Sequence, residues 1–484
     1  MYDIIIIGGG IIGTATARML SRYQLKVLLV EREADIGVGA TKANSGILHA
    51  GYDCTPGTLK AALNVEGLAM YAKLTNELDI PHKVNGSLVI CTGEDGPAKL
   101  EALYERGLAN GVTGMELLSA EEALALEPNL NPNITGALMA KTAGIISPYE
   151  AAIAFAENAA ENGVEFLLET AVTDIKADKS GRFAVYVKRS QLQMKGTFSA
   201  HPCLYTRVII NASGIETATI HNHISSRKET ITPQRGQYYL LDNTHQDLIK
   251  HTIFQLPTHL GKGVLVVPTV GGNILLGPTA ESPEDSTTTA TSATGLNEVL
   301  DKASQILNFI PIRDRITAFA GIRARHGSRD FIIEEALPGF INAMAIDSPG
   351  LTAAPAIAEK AANLAIARLQ PQLNPNFNPT RSGILRFREL SKAKQAAIIK
   401  QNPAYGRVIC RCETITEAEI IDAIKRPVGA KNIDALKRRT RAQMGRCQGG
   451  FCLTKLMEIL SRELSIPETA VTLNGTGSEV CLLD

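Results

Sequence analysis

A glycine-rich turn near the N-terminus constrains the fold of this chain more than any other feature. An apolar run at residues 2–7 is followed by Gly8, Gly10 and Gly13 in a Gly-x-Gly-x-x-Gly pattern, and a second apolar run ends at Glu31. The spacing predicts a strand, a helix and a second strand, with a pyrophosphate held at the helix N-terminus. Glu31 is placed to accept hydrogen bonds from ribose hydroxyls, which argues against a 2′-phosphate. The motif alone does not separate FAD from NAD.

The composition is that of a globular protein without charge bias. The 484 residues are 45% hydrophobic, and 49 Lys and Arg residues balance 49 Asp and Glu residues. The length fits two or three domains, and zero net charge gives no support to nucleic-acid binding. No apolar run reaches the roughly 18 residues of a membrane span, and no basic segment precedes the first apolar run. We therefore expect no transmembrane segment and a cytoplasmic location, with peripheral attachment to the inner face of the membrane as the alternative.

Five further segments occur in the order found in one flavoprotein family. They are ATKANSGILHAG at 40–51, VIINASG at 208–214, PQRGQ at 233–237, FAGIR at 319–323 and DSPGLT at 347–352. Together they resemble the D-amino-acid-oxidase-like flavoproteins over about residues 1–370. The resemblance implies FAD as the cofactor. It also implies an α/β FAD-binding domain of the Rossmann-like, glutathione-reductase type with an inserted α+β substrate domain.

The resemblance implies a division of the chain into three units. The FAD-binding parts are expected at about 1–83, 145–230 and 316–370, and the substrate-domain parts at about 84–144 and 231–315. A proline-rich stretch at 371–379 and a basic helix predicted over 382–401 make residues 371–405 a linker and connecting helix. Residues 406–484 are expected to form a small helical iron–sulfur domain.

The resemblance also implies FAD contacts beyond the glycine turn. The expected contacts from loops and strand ends are Thr41, Asn44, Ser45, Gly46, Leu48, Val172, Ala212, Gly214 and Gly321. A last helix is predicted over 355–369. The loop before it is expected to aim the backbone N–H groups of Gly350, Leu351 and Thr352 at the N1/O2 edge of the flavin, where they stabilise the anionic reduced form.

His49 lies inside the predicted flavin loop. Oxidation of a secondary alcohol on a flavin moves a hydride to N5 and needs a base for the hydroxyl proton, and the ordinary histidine pKa of about 6.5 suits that role. The surrounding sequence resembles the loop of soluble glycerol-3-phosphate oxidases and of L-2-hydroxyglutarate dehydrogenases, in which the matching histidine is catalytic. The resemblance implies that His49 is the base; a histidine that only hydrogen-bonds the flavin or the fold is the alternative.

The substrates of both subfamilies are anions, so the pocket needs a cation. Arg323 lies in the segment that resembles the family's substrate-binding strand, and a guanidinium donates two parallel hydrogen bonds to an oxyanion. Lys262 is the predicted second cation, with a solvated loop lysine as the alternative. Arg325 and His326 are close enough in sequence to share the work, and Ser348 is expected to add a hydroxyl contact.

Four of the eight cysteines form a two-plus-two pattern near the C-terminus. They are Cys410, Cys412, Cys447 and Cys452. Four thiolates suit a [2Fe–2S] cluster or structural zinc, although the Cys-x-Cys spacing is tight for zinc.

Three further segments extend the pattern: RCE at 411–413, KRRTR at 437–441 and MGRCQGGFC at 444–452. With them the region resembles the bacterioferritin-associated-ferredoxin-like domain that ends the large subunit of anaerobic glycerol-3-phosphate dehydrogenases, which implies a [2Fe–2S] cluster. The basic run 437–446 is expected to stabilise the reduced cluster, with a docking face or a solvated run as alternatives.

An iron–sulfur module beside a flavin implies that electrons leave one at a time to a partner subunit or a quinone-linked acceptor. The expected reaction is oxidation of sn-glycerol 3-phosphate to dihydroxyacetone phosphate. One alternative is oxidation of L-2-hydroxyglutarate or another L-2-hydroxy acid. The other is an electron-transfer subunit of a multi-subunit amine or amino-acid dehydrogenase.

Overall fold

The computed structural model describes residues 1–189, 203–256, 263–283 and 288–481. None of the helices in these ranges has both the length and the apolar character needed to cross a membrane. The helices are α1 (Ile11–Leu20), α2 (Leu59–Glu77), α3 (Gly96–Ala109), α4 (Ala120–Leu126), α5 (Pro148–Glu161), α6 (Thr217–Ile224), α7 (Ala293–Ala303), α8 (Gly350–Leu369), α9 (Lys392–Gln401), α10 (Glu417–Lys425), α11 (Ile433–Thr440) and α12 (Leu453–Leu464).

The strands of the described ranges form two large sheets and two small ones. They are β1 (Tyr2–Ile7), β2 (Val27–Val30), β3 (Ile47–Leu48), β4 (His82–Lys83), β5 (Ser87–Thr92), β6 (Met115–Ser119), β7 (Ile134–Ala140), β8 (Gly144–Ile146), β9 (Glu165–Leu167), β10 (Thr170–Ala177), β11 (Phe183–Arg189), β12 (Cys203–Asn211), β13 (Thr232–Leu241), β14 (Thr252–Gln255), β15 (Leu265–Pro268), β16 (Ile274–Gly277), β17 (Arg315–Arg325), β18 (Ile332–Leu337), β19 (Phe340–Met344), β20 (Val408–Cys410) and β21 (Ile415–Thr416).

The first large sheet has a parallel centre covered by helices. β1 pairs in parallel with β2 and β12, β9 extends the sheet beyond β2, and β19 pairs in parallel with β12. β10 and β11 add antiparallel strands next to β12, and β18 pairs with β19. Helices α1, α5 and α8 pack together beside it, and β1 is a near-continuous apolar run, as expected for a strand buried on both faces. The predicted α/β FAD-binding class is confirmed.

The turn between β1 and α1 depends on two glycines. Gly8 has a φ of +108°, which side chains rarely adopt. At Gly13 a Cβ atom would lie 1.9 Å from the carbonyl oxygen of Gly8, so only glycine lets the helix start this close to the strand end.

The second large sheet unites two distant parts of the chain. Its strand order is β17-β13-β16-β15-β14-β5-β7-β6, and the parallel pair β5–β14 joins the earlier segment to the later one. This sheet is the predicted inserted domain. The expected boundary at 316 is wrong in one respect, because β17 runs antiparallel to β13 as far as Arg325 and so belongs to the second sheet.

Helix α8 begins earlier than the sequence indicates. It starts at Gly350, so the segment predicted as a loop forms the first turn, and Pro355 lies inside the helix. Proline has no N–H for the carbonyl oxygen four residues before it. That oxygen, on Leu351, instead accepts a hydrogen bond from the Tyr71 hydroxyl at 3.0 Å. Tyr71, which is distant in sequence, therefore allows Pro355 to lie inside a helix that the local sequence predicts to begin only at this proline.

The C-terminal domain is a small helical unit with its own core. Helices α10, α11 and α12 pack around a buried apolar cluster that includes Cys410 and Cys452. The Thr-x-x-Glu spacing of Thr416 and Glu419 predicts a capping box, and the structure has one at the start of α10. The basic helix expected over 382–401 is shorter, because α9 begins only after Ser391, whose side chain caps it.

The proline-rich stretch is fastened to the first domain. The Gln24 amide donates to the Gln372 carbonyl at 2.9 Å, Arg18 donates to the Pro379 carbonyl at 3.0 Å, and Asn158 donates to the Asn378 carbonyl at 3.0 Å. This segment was expected to be a linker. Its backbone is hydrogen-bonded along α1 and α5 and the turn after α1.

A buried ionic contact completes the seam between the two domains. Asp35, from the loop after β2, accepts hydrogen bonds from Arg438 at 2.7 and 3.2 Å and from Arg439 at 2.7 and 2.8 Å. All three residues are buried. Burial alone would raise the pKa of Asp35, but the two guanidinium groups outweigh that effect and hold its pKa below the usual range. This part of the basic run therefore bridges domains and is neither solvated nor a docking face.

Loss of the Asp35 charge should destabilise the protein. Asp35→Asn leaves two buried guanidinium groups without their carboxylate, for which we expect a loss of about 3–5 kcal/mol in the free energy of unfolding. The matched control Asp178→Asn breaks the exposed pair with Arg182, worth about 1 kcal/mol or less. Urea denaturation followed by circular dichroism compares them, and equal stability of the two variants would contradict the account.

The pH dependence has a defined sign. Because the folded pKa of Asp35 is lowered, its stabilisation is fully present above the unfolded value of about 3.9 and is lost as the pH falls through the folded pKa. The free energy of unfolding of wild type should therefore exceed that of Asp35→Asn by the same amount at about pH 5 and at about pH 7.

Candidate active site and cysteine cluster

A cavity of about 1110 Å³ lies between the two large sheets. Most of the residues predicted to bind FAD or substrate line it. They are Gly8, Gly10, Glu31, Thr41, Asn44, Ser45, Gly46, His49, Val172, Ala212, Gly214, Gly321, Arg323, Ser348, Gly350 and Leu351. Gly13, Leu48 and Thr352 are buried behind the wall and do not line it. Lys262 lies outside the described residues.

The dinucleotide end of the cavity is shaped by Glu31 and the start of α1. Glu31 accepts hydrogen bonds from the backbone N–H groups of Gly9 at 2.5 Å and Glu33 at 2.9 Å, and burial raises its pKa. Each carboxylate oxygen keeps a second lone pair for a ribose hydroxyl. The N-cap residue of α1 is Gly10, which has no side chain, and the Thr41 hydroxyl accepts a hydrogen bond from the Ile11 N–H at 3.0 Å. The positive end of the helix dipole lies at the cavity, so this end suits an anionic dinucleotide.

The predicted flavin loop packs against β17, the strand that carries Arg323, through a close backbone contact. At Gly321, on β17, a Cβ atom would lie 2.1 Å from the carbonyl oxygen of Ala43. Asn44 holds the same loop together, since it donates to the Thr41 carbonyl and accepts from the Gly46 amide, both at 2.8 Å. The structure therefore assigns Asn44 a role in the loop itself, beside its predicted contact with FAD.

His49 is fixed through its backbone. Its amide donates to the Thr352 hydroxyl at 2.9 Å, and its carbonyl accepts from the Asn64 side chain at 2.9 Å. The imidazole ring packs 5.7 Å from the ring of Phe254. Thr352 thus anchors the histidine from the first turn of α8, which explains why it lies outside the lining. The ring has a defined place in the cavity wall.

Arg323 projects into the cavity from β17 among neutral partners. Its guanidinium donates to the Gln234 side-chain oxygen at 3.1 Å and to the Thr279 carbonyl at 3.4 Å. A Cβ atom on Gly236 would lie 2.5 Å from an Arg323 nitrogen, so that glycine makes room for the side chain. Gln234 and the Thr279 carbonyl are neutral, so the positive charge of the guanidinium can balance the charge of a bound anion.

A second charged group in the cavity had no signal in the sequence. Lys60, in the first turn of α2, forms an ion pair with Asp347 at 2.5 Å. Arg325 lies 3.9 Å from the same carboxylate. Asp347 belongs to a recognised segment, but Lys60 is 287 residues away and stands in no motif. Two cations, Lys60 and Arg325, therefore approach the Asp347 carboxylate, and Arg329 also lines the cavity.

The four cysteines of the two-plus-two pattern lie together in the C-terminal domain. The Cys412 sulfur is 3.8 Å from that of Cys410 and 3.6 Å from that of Cys447. The hydrogen bond to Cys452 and burial raise the pKa of Cys410, and burial followed by the charge of Cys410 raises the pKa of Cys412 to about 12. Thiols this close cannot ionise together without a cationic centre, so their arrangement fits a metal cluster.

The rest of the basic run is bonded to acidic or amide groups. Arg441 donates to Glu413 at 2.8 Å and to Asn273 of the second sheet at 3.0 Å, and Arg446 pairs with Asp242 at 3.1 Å. With Arg438 and Arg439 already engaged at the seam, these contacts disfavour the alternative that the run is a docking face, and its role in stabilising the reduced cluster stays a prediction.

Two protein-family models match the chain. One, described as FAD dependent oxidoreductase, matches residues 3–364, and the other, described as BFD-like [2Fe-2S] binding domain, matches residues 408–462. The predicted cofactors, FAD and a [2Fe–2S] cluster, are thereby confirmed. The individual residues that hold them remain predictions.

The known proteins that are similar to this chain match different fractions of its length. It is 47% identical to a glycerol 3-phosphate dehydrogenase of Caloramator mitchellensis over 99% of this chain and 98% of that protein. It is 31% identical to a mitochondrial L-2-hydroxyglutarate dehydrogenase of Caenorhabditis elegans over 58% of this chain and 63% of that protein. The structure of L-alpha-glycerophosphate oxidase from Mycoplasma pneumoniae with FAD bound has a TM-score of 0.73 and 32% identity, and covers 78% of this chain and 98% of its own.

Replacement of Glu31 should weaken FAD binding. Glu31→Ala removes the acceptor for ribose hydroxyls and for the Gly9 amide, and hydrogen bonds to a charged group are worth about 1.5–3 kcal/mol each. We expect a rise in the FAD dissociation constant of roughly 10- to 100-fold, measured by flavin fluorescence. An unchanged constant would remove Glu31 from the site.

Replacement of one cysteine should remove the cluster and leave the flavin. Cys412→Ser or Cys447→Ser should abolish the iron–sulfur EPR signal of the reduced protein with FAD still bound, because the Asp35 seam lies outside the cysteine loops. The matched control Cys481→Ser changes an exposed cysteine outside the group and should keep the signal. Stoichiometric zinc without iron after anaerobic purification would contradict the assignment.

Proposed function

The chain belongs to the FAD-dependent oxidoreductase family, and on that premise we propose that it oxidises sn-glycerol 3-phosphate to dihydroxyacetone phosphate. Electrons then leave through the [2Fe–2S] domain. The full-length similarity to a protein named glycerol 3-phosphate dehydrogenase supports this substrate. One feature of the molecule carries the proposal: His49 and Arg323, a base and an anion-binding cation, line the same cavity as the dinucleotide turn.

His49 is the proposed base. Bound FAD supplies the hydride acceptor. His49 takes the proton from the hydroxyl group of the carbon that loses the hydride. Backbone hydrogen bonds to Thr352 and from Asn64 fix the main chain at His49, and its ring packs against Phe254, so less ordering is needed when substrate binds.

Arg323 is the proposed anchor for the phosphate. A guanidinium donates two parallel hydrogen bonds to a tetrahedral oxyanion, which a lysine cannot reproduce. Gln234 and Thr279 fix its orientation without neutralising it. The predicted contributions of Lys262 and Ser348 belong to the same proposal, and Ser348 lies in the cavity lining.

The two alternative functions make different demands on the cavity. L-2-Hydroxyglutarate is also an anionic secondary alcohol and would use the same base and arginine, so the substrate must be decided by rate. An electron-transfer subunit would need neither residue. The presence of both in one cavity favours an enzyme.

The proposed outlet for electrons is the exposed edge of the cysteine cluster. Cys412 is exposed, and Phe451, beside Cys452, is 84% exposed. An acceptor must approach a buried redox centre closely, and this is the part of the cluster that solvent reaches. We propose a one-electron acceptor there, either a partner subunit or a quinone-linked acceptor at the membrane.

Replacement of His49 tests the base. His49→Ala should lower the rate of anaerobic flavin reduction by roughly 10²–10⁴-fold, with substrate binding little changed, because a positioned base contributes that factor. Stopped-flow absorbance measures it. The control His245→Ala, which alters a histidine paired with Asp314, should reduce as fast as wild type. Full-rate reduction by His49→Ala would make the histidine a structural neighbour only.

Replacement of Arg323 tests the anchor and the substrate together. Arg323→Ala should mainly weaken binding of glycerol 3-phosphate, and Arg323→Lys should recover only part of it. Glycerol, which lacks the phosphate, should reduce wild-type flavin poorly. If L-2-hydroxyglutarate is the faster reductant of the wild-type protein, the proposed substrate is wrong and the site remains.

A further inference from the structure

The two redox sites approach one another at the start of α5. Tyr149, in the first turn of this helix, donates its hydroxyl hydrogen to the Met444 sulfur at 3.5 Å. Tyr149 belongs to the FAD-binding domain, and Met444 begins the loop that carries Cys447 and Cys452. Both side chains are at least half-buried. This contact therefore joins the two domains by side chains of low polarity.

On the flavin side, Tyr149 is three residues from a strand that touches the cavity wall. The Ile146 amide donates to the carbonyl oxygen of Gly46 at 2.8 Å, and Gly46 lines the cavity. The segment 146–149 therefore packs directly behind the predicted flavin loop.

On the cysteine side, Met444 is adjacent to a glycine that touches a thiol. A Cβ atom on Gly445 would lie 2.6 Å from the Cys412 sulfur, so the backbone here packs directly on that sulfur. A route then runs from Gly46 through the Ile146 hydrogen bond and the backbone to Tyr149, and from there through the Met444 hydrogen bond to Gly445, which lies against Cys412.

Other contacts join the C-terminal domain to the rest of the chain at different places. The Asp35 pair joins α11 to the loop after β2. Arg441 and Arg446 connect to Asn273 and Asp242 of the second large sheet, and Arg426 pairs with Glu157 of α5. The Tyr149–Met444 contact differs from these because it joins the segment behind the flavin loop to the loop that carries Cys447.

We propose that the Tyr149–Met444 contact is the bridge through which electrons pass from the flavin cavity to the cysteine cluster. This inference rests on the proposed function, because it assumes a flavin in the cavity and a cluster on the cysteines. The reduced flavin loses two electrons and a proton and is oxidised. Each electron in turn would reduce one ferric ion of the cluster to ferrous, and a one-electron acceptor outside the protein would take it up between the two transfers.

The bridge works by continuous packing and not by its own oxidation. Burial raises the pKa of Tyr149, so the phenol stays protonated and neutral. A gap between packed atoms abolishes the contacts that the removed atoms made. The test creates such a gap by replacing Tyr149 or Met444 with alanine. A variant that keeps the volume should keep the transfer.

The test uses holoenzyme in which light and a deazaflavin reduce the flavin, so that no substrate is needed. Absorbance then follows flavin oxidation and cluster reduction, and EPR of frozen samples quantifies the reduced cluster. The gap-forming variants are Tyr149→Ala and Met444→Ala. The volume-conserving variants are Tyr149→Phe and Met444→Leu. Met19→Ala, a half-buried methionine on α1, and Tyr104→Ala, a partly buried tyrosine on α3, are matched controls.

The gap-forming variants should lose the fast phase of cluster reduction, while the volume-conserving variants and the controls retain it. Iron content, FAD content and the potential of each centre should be unchanged in all of them. A fast phase that persists in both gap-forming variants would overturn the proposal. In the wild-type protein, the cluster could be reduced rapidly after illumination while glycerol 3-phosphate does not reduce the flavin. That result would refute the proposed substrate and would still support the proposed bridge.

Discussion

Two arginines of the C-terminal domain share one carboxylate of the FAD-binding domain, and all three side chains are buried. Removing three charges from water costs several kcal/mol per ion, and only the paired geometry offsets that cost. Neither domain can therefore expose this surface cheaply. Asp35 lies in the loop between Glu31 and Thr41, both of which line the dinucleotide end of the cavity. The contact that joins the C-terminal domain to the first domain thus also lies behind the wall of the predicted cofactor site.

The chemistry of the cavity depends on close approaches that only glycine permits. Gly13 lets α1 start at the turn, Gly321 lets the flavin loop meet β17, and Gly236 leaves room for Arg323. Gly67 does the same for α2, where a Cβ atom would lie 2.2 Å from the Thr352 carbonyl oxygen, and Thr352 in turn holds His49. The proposed base, the proposed anion-binding cation and the predicted cofactor wall come from different elements, and backbone packing brings them to one cavity.

The sequence predicts those parts of the structure that depend on residues at short, fixed spacing in the chain. The glycine turn, the capping box of α10 and the cysteine pattern each require particular residues at fixed spacing, and each was found where predicted. It was insufficient where partners are far apart. Asp35 and Arg438 are 403 residues apart, and Lys60 and Asp347 are 287 apart, so neither pair has a spacing to recognise. Helix α8 continues through Pro355 because Tyr71 takes over a carbonyl that the proline leaves free, and a local pattern cannot contain that information.

The central claim is that a substrate alcohol reduces a flavin whose electrons leave through the cysteine cluster of the same chain. The most direct measurement is anaerobic mixing of wild-type holoenzyme with sn-glycerol 3-phosphate, followed by absorbance and by EPR of freeze-quenched samples. The account predicts that flavin absorbance falls first, that the signal of the reduced cluster then rises, and that dihydroxyacetone phosphate forms. A flavin that bleaches while the cluster stays oxidised, or a flavin that does not bleach at all, would contradict it.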